Sequence, residues 1–281
     1  MQCPHPITLK TGDVVPCGKC PVCKANERQE WVFRLKEEAK VSAYSLFVTL
    51  TYDEEHVPEG LNVNKRDVQL FLKRLRKNFA KGELRYYIVS EYGDTTFRPH
   101  YHGLFFFQHL PENEVKLFDI ITDSWQNGFC KYGKVELASI VYCTKYCLKK
   151  SSTPPGREPV FRLMSKMNGG LGFYYIDSMG VFHVDNGNYS FVYDNGQRCR
   201  MPRYYKNLLR RNNPIFEQQQ ELNRNELYDI QLKEAQRRFK EFEKRFKDDD
   251  IAACNAFNAN ERAKAERQEE LILKHCKKQK L

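Results

Sequence analysis

Ser45 to Tyr52 (SLFVTLTY) is an apolar run rich in β-branched residues, the pattern of a strand. The period then changes. Asn64 is placed to cap a helix in which Val68, Phe71, Leu72, Leu75 and Phe79 form a buried stripe. The opposite face of that helix carries Lys65, Arg66, Lys73, Arg74, Arg76 and Lys77. Arg85 to Tyr92 and Pro99 to Phe107 read as two further strands. Glu112 to Trp125 reads as a helix with Val115, Phe118, Ile120 and Ile121 facing inward, and Phe129 to Glu136 as another strand. Ala138 to Lys149 is predicted as a helix, ended by Ser151-Ser152-Thr153-Pro154-Pro155. Turn signals at Met179-Gly180, Asn186-Gly187 and Asn195-Gly196 predict β-hairpins over Gly169 to Met201.

Strands and helices mixed at this spacing predict an α+β fold, an antiparallel central sheet with flanking helices. Three zones follow: a cysteine-rich segment at 1–30, a main domain at 31–210 and a charged helical tail at 211–281. In the tail, Tyr228, Leu232, Ala235, Phe239, Phe242 and Phe246 are spaced by fours and threes, a short amphipathic seam. That seam either self-associates with a partner helix or packs on the protein's own body.

Composition narrows the partner. The 281 residues carry a net charge of +10 and 13% aromatics, with 16 Tyr and 19 Phe. Basic and aromatic residues together track a phosphate backbone and stack unpaired bases, although charge alone also fits an acidic surface. The start, Met1-Gln2-Cys3-Pro4-His5-Pro6, has no apolar signal region, and no run has the apolar length of a membrane span. A cytoplasmic protein with no membrane partner is expected. In that reducing setting the ten cysteines are expected as metal ligands or buried thiols rather than disulfides.

The cysteines are not evenly spread. Cys17, Cys20 and Cys23 recur at three-residue intervals, with Cys3 upstream. Four thiolates suffice for a tetrahedral Zn2+, while C-x-x-C-x-x-C also occurs in iron–sulfur ligation. Zinc is favoured because Pro16-Cys17-Gly18-Lys19-Cys20 resembles a zinc-knuckle turn. The alternatives are unligated thiols, or His5 in place of one cysteine. Cys130, Cys143, Cys147, Cys199, Cys254 and Cys276 read as ordinary thiols.

The most informative stretch is Arg98-Pro99-His100-Tyr101-His102-Gly103, within the third strand of the main zone. Side chains alternate along a strand, so His100 and His102 share a face. Glu91 ends the preceding strand. If those two strands are neighbours, the three side chains make a two-imidazole, one-carboxylate site. Mixed nitrogen and oxygen ligands with open positions suit Mg2+ or Mn2+ on a phosphate better than a closed zinc site. On the following helix, at ~100° per residue, Tyr142, Tyr146 and Lys149 fall within an arc of about 60°. Ile140, Cys143 and Cys147 lie opposite. A phenol, with a pKa of about 10, is a weak nucleophile and needs an activated electrophile or a nearby cation.

The order of three motifs resembles the HUH endonucleases, specifically rolling-circle replication initiators. Phe47-Val48-Thr49-Leu50-Thr51-Tyr52 is similar to their first motif, Pro99-His100-Tyr101-His102-Gly103 to the metal-binding motif, and Tyr142-x-x-x-Tyr146-x-x-Lys149 to the two-tyrosine motif. The cysteine segment and Met201-Pro202-Arg203-Tyr204-Tyr205 resemble initiators of small single-stranded DNA phages of the gokushovirus type. The resemblance implies a ferredoxin- or RRM-like core. It further implies a Mg2+ or Mn2+ site at His100, His102 and Glu91, and site-specific nicking and rejoining of origin DNA through a 5′-phosphotyrosine. Host helicase and polymerase would be partners, in the host bacterial cytoplasm. Tyr146 matches the Tyr-x-x-Lys core with Lys149, so it is expected to initiate and Tyr142 to terminate. Two other readings stand beside this one: a non-catalytic zinc-containing DNA-binding protein, and a single-strand transposase of the same fold that needs one tyrosine.

Overall fold

Two short strands, β1 (Ile7–Thr8) and β2 (Val14–Val15), precede α1 (Pro21–Val41) and β3 (Tyr44–Tyr52) in a computed structural model. Then follow α2 (Lys65–Leu75), β4 (Leu84–Tyr92), β5 (Pro99–Phe107), α3 (Glu114–Trp125), β6 (Gly128–Lys134) and α4 (Leu137–Thr144). The chain continues through β7 (Arg162–Met164), α5 (Phe173–Asp185), β8 (Ser190–Val192), β9 (Arg198–Arg200), α6 (Arg203–Asn212), α7 (Pro214–Phe246) and α8 (Asp250–Lys278). The structure describes residues 3–145, 153–167, 169–186, 190–192, 198–247 and 249–278. The chain forms two units, one of residues 28–178 and one of residues 1–27 with 179–281.

In the first unit, five strands pair antiparallel in the order β6-β3-β5-β4-β7. The expected antiparallel sheet with flanking helices is therefore present. The strand period of two gives the sheet two apolar faces. On one, Leu46, Val48, Leu50, Ile88, Tyr101 and Phe105 pack with Phe71, Leu72 and Leu75 of α2 and with Leu117, Ile121 and Trp125 of α3. On the other, Tyr87, Val89, Leu104 and Phe106 pack with Trp31 and Leu35 of α1 and with Ile140 and Cys143 of α4. The central strands are thus buried on both sides, which explains their nearly unbroken apolar runs.

Local chemistry sets the helix ends. Asn64 Oδ1 accepts the N–H groups of Arg66 (2.9 Å) and Asp67 (3.3 Å), the expected cap of α2. Past α3 the chain turns at Gly128, φ +142°, where a Cβ would lie 2.4 Å from the backbone nitrogen of Asp53. Only glycine fits so close a backbone approach. Beneath the second face, Arg85 Nε lies 3.0 Å from Glu38 Oε1, an ion pair with both residues buried.

Three expectations change. Val115 is 64% exposed, and Leu117 takes the inward position with Ile121 and Trp125. Asn113 caps α3, so Val115 sits in the first turn, on the solvent side of the stripe. The segment expected as hairpins contains α5, and Met179-Gly180 lies inside that helix. Burial outweighs the turn residues there: Ile176 and His183 are 6% and 2% exposed. Strands β8 and β9 do pair antiparallel, while Gly187 and Asn195-Gly196 lie outside the described residues.

The second unit contains the tail, which is two helices rather than one. Lys247, in left-handed conformation at φ 41°, ends α7. Phe239 and Phe242 of α7 meet Phe257 of α8 edge-on, at centroid distances of 5.5 and 5.6 Å. That half of the seam packs on the protein's own second helix, while Tyr228 and Leu232 stay exposed. Among the described residues no helix is long and apolar enough to cross a membrane.

Candidate active site and metal centre

Register places the first site. His100 on β5 is directly opposite Glu91 on β4, and His102, two residues on, is opposite Thr49 on β3. A strand pair brings such side chains within reach of one another. The candidate ligand atoms of Glu91, His100 and His102 all lie within 4.8 Å of each other. Glu91 Oε2 is 3.2 Å from His102 Nε2 and 3.5 Å from His100 Nε2.

The hydrogen bonds behind the ring nitrogens assign the tautomers. His100 Nδ1 faces the carbonyl of Arg98 at 3.2 Å. A carbonyl only accepts, so Nδ1 carries the proton and Nε2 keeps its lone pair. His102 Nδ1 pairs with Thr49 Oγ1 at 3.0 Å, which likewise lets Nε2 point its lone pair at the carboxylate. Burial holds His102 below the usual imidazole range, with the carboxylate of Glu91 opposing it, so the neutral, ligating form is favoured. Phe47 stacks on the His102 ring, 5.7 Å between centroids and 9° from parallel, and fixes its plane. The donor set fits a divalent cation: two imidazole lone pairs and a carboxylate oxygen converge from rigid strands.

Helix α4 adds the phenol. Ile140 and Cys143 anchor its buried face, and Tyr142 projects toward the sheet residues. The Tyr142 hydroxyl donates to Glu91 Oε2 at 2.7 Å and lies 3.3 Å from His102 Nε2. Lys145, the residue that ends the helix, places Nζ 3.5 Å from the centroid of the Tyr142 ring and 3.8 Å from Glu91 Oε1. A cation over the ring and beside the carboxylate favours the phenolate.

Glu91, His100, His102 and Tyr142 therefore meet, whereas Tyr146 and Lys149 lie outside the described residues. Sequence reasoning misses Lys145, although its signal is present. Tyr142-Cys143-Thr144-Lys145 and Tyr146-Cys147-Leu148-Lys149 are two copies of Tyr-Cys-x-Lys, and the resemblance draws attention to the second alone. Thr49 and Phe47 carry no such signal, since their part depends on strand pairing.

The four cysteines form a second constellation, in the other unit. Sγ of Cys3 lies 3.6 Å from that of Cys17 and 3.8 Å from that of Cys20, and Cys17 to Cys23 is 4.0 Å. These distances are far from a disulfide, at about 2.05 Å. They match the edges of a tetrahedron with metal–sulfur bonds of about 2.3 Å, which are about 3.8 Å long. Backbone N–H groups of Lys19 and Cys20 donate to Cys17 Sγ at 3.4 and 3.3 Å, and pull its pKa down to about 6. Burial pushes Cys20 the other way, to about 12. His5 is not in the cluster: its Nε2 is 3.3 Å from Glu269 Oε1.

Residues 45–151, from β3 through the two-tyrosine motif, match the family model of the replication-associated protein ORF2. Replication-associated protein VP4 of Bdellovibrio phage phiMH2K is 29% identical over 255 residues, covering 76% of this chain and 79% of that protein. Replication-associated protein ORF2 of Spiroplasma virus 4 is 27% identical over 223 residues, covering 71% and 68%. Replication-associated protein ORF4 of Chlamydia phage 1 is 24% identical over 220 residues, covering 70% and 54%. No solved structure matches. The matched segment holds Glu91, His100, His102, Tyr142 and Lys145, and with it the chain belongs to the replication-associated protein ORF2 family, whose relatives here are replication proteins of phages and a spiroplasma virus.

Proposed function

We propose that this protein starts rolling-circle replication by nicking and rejoining one strand of origin DNA through a phosphotyrosine. The observation that carries this reading is the Tyr142 hydroxyl, 2.7 Å from Glu91 Oε2 and 3.3 Å from His102 Nε2. A nucleophile, a proton acceptor and a set of metal ligands thereby share one site. Tyr142 Oη attacks phosphorus, its proton passing to Glu91 Oε2, and the Lys145 ammonium supports the developing phenolate. The new bond is Oη–P and the broken bond is P–O3′, which leaves a protonated 3′ hydroxyl as primer. Attack by a 3′ hydroxyl on the phosphotyrosine reverses the step and closes a strand. One phosphodiester is exchanged for another ester, so no nucleotide is hydrolysed. A divalent cation, Mg2+ or Mn2+, held by His100, His102 and Glu91 would supply charge stabilisation at the scissile phosphate when bound.

The spacing argument gives the first attack to Tyr146. The contacts of Tyr142 favour the reverse order, with Tyr146 and Lys149 as the second phenol and its cation. Host helicase and polymerase are the partners such a role requires, and the host cytoplasm its place. At the other unit, the tetrahedral spacing of Cys3, Cys17, Cys20 and Cys23 supports a structural Zn2+.

The test is a labelled single-stranded origin oligonucleotide with Mn2+. Wild-type protein should yield a covalent species stable to denaturing electrophoresis. His100→Ala/His102→Ala should yield none while still binding the oligonucleotide. Full cleavage by that double variant would overturn the metal-site assignment.

A further inference from the structure

Strand β4 has a second end. Glu91 stands near its C-terminal end, and about 17 Å away, five residues at about 3.3 Å each, Tyr86 lines a separate cavity of about 350 Å3. Volumes of about 300–1,000 Å3 are typical of small-molecule sites. The cavity lies between the end of α2, the loop into β4 and residues 165–167.

Its lining combines two kinds of chemistry. Arg76, Lys81 and Lys166 are exposed cations, and Phe79 and Tyr86 are half-buried rings. Arg76 is held in place: its Nε donates to the Leu72 carbonyl at 3.0 Å, and its guanidinium is 6.0 Å from the centroid of the Tyr86 ring. Among the described residues no carboxylate lines the cavity. Glu83, in the same loop, has Oε2 engaged by the N–H of Ala80 at 2.8 Å. Cations that track phosphates beside rings that stack on bases are the equipment for unpaired nucleic acid.

We propose that this cavity holds one nucleotide of a single-stranded DNA, its base against Phe79 and Tyr86 and its phosphate among Arg76, Lys81 and Lys166. The choice of DNA rests on the replication reading above, but the cavity takes no part in the chemistry at Tyr142. It anchors the strand away from the scissile phosphate.

The test uses the full chain in a Tyr142→Phe/Tyr146→Phe background and a fluorescent oligonucleotide, read by anisotropy across a salt series. Lys81→Glu/Lys166→Glu should weaken binding at least tenfold and flatten the slope of log affinity against log salt by ~1.4, at ~0.7 per phosphate contact. Phe79→Leu should weaken it severalfold. With both tyrosines present, the charge variant should keep its cleavage rate at saturating oligonucleotide. Unchanged affinity and slope in the charge variant would overturn the proposal. Loss in that variant but none in Phe79→Leu would reduce the cavity to a bare phosphate site and overturn the nucleotide assignment. Displacement of the strand by equimolar mononucleotide would overturn the strand assignment in favour of a free nucleotide. Wild-type protein that binds DNA without forming an adduct would defeat the nicking reading and leave this test intact.

Discussion

Tyr142 donates its phenol proton to Glu91 across 2.7 Å, which ties the last turn of α4 to the end of β4. The nucleophile is thereby positioned by two rigid elements that share the apolar layer of Tyr87, Phe106, Ile140 and Cys143. Lys145 completes the arrangement from the helix end.

Removing that cation should slow chemistry rather than binding. Lys145→Gln is expected to lower adduct formation by about 10²-fold, the usual scale for one preorganised charge, with oligonucleotide affinity little changed. Lys145→Arg should restore part of the rate. Single-turnover kinetics would check this, and an unchanged rate in Lys145→Gln would remove Lys145 from the mechanism.

The cysteine cluster should hold about one zinc per chain by elemental analysis. Cobalt substitution should give the intense sulfur-to-metal absorption of tetrahedral thiolate sites. A chelator should lower the melting temperature. Four freely titratable thiols in the native, metal-free protein with unchanged melting would contradict the site.

The Glu38–Arg85 pair makes a statement about pH. Burial raises the Glu38 pKa above its ordinary value of 4.5, with the N–H of Gly172 and the charge of Arg85 opposing that shift. The native state therefore holds this proton more tightly than the unfolded chain. Its contribution is full below about 4.5 and is lost as pH rises through the folded value. Glu38→Gln should abolish that component of the pH–stability profile. Arg85→Ala, which leaves a buried carboxylate without its cation, should cost about 3–5 kcal/mol at neutral pH. Chemical denaturation at several pH values would measure both.

The sheet and the triad are legible because a strand period of two is unambiguous once the apolar runs are found. His-x-His needs no tertiary knowledge to share a face, and Glu91 needs only that β4 and β5 be neighbours. The α2 cap at Asn64 is equally local. The α5 helix is hidden because Met179-Gly180 reads as a turn, and only the burial of neighbours such as Ile176 overrules it. Leu117 replaces Val115 because the start of α3 shifts the inward stripe. Proximity to Lys149 points to Tyr146 for the first step, yet Lys145 stands at the same three-residue offset from Tyr142.

The central claim is that the Tyr142 phenol attacks a DNA phosphate. Wild-type protein, trapped on a labelled origin oligonucleotide with Mn2+, digested and sequenced by mass spectrometry, should carry the 5′ phosphate on Tyr142 in the first turnover. Tyr142→Phe should lose most initial nicking. An initial adduct only on Tyr146 would reverse the proposed order, and an adduct on neither tyrosine would contradict the phosphotyrosine mechanism itself.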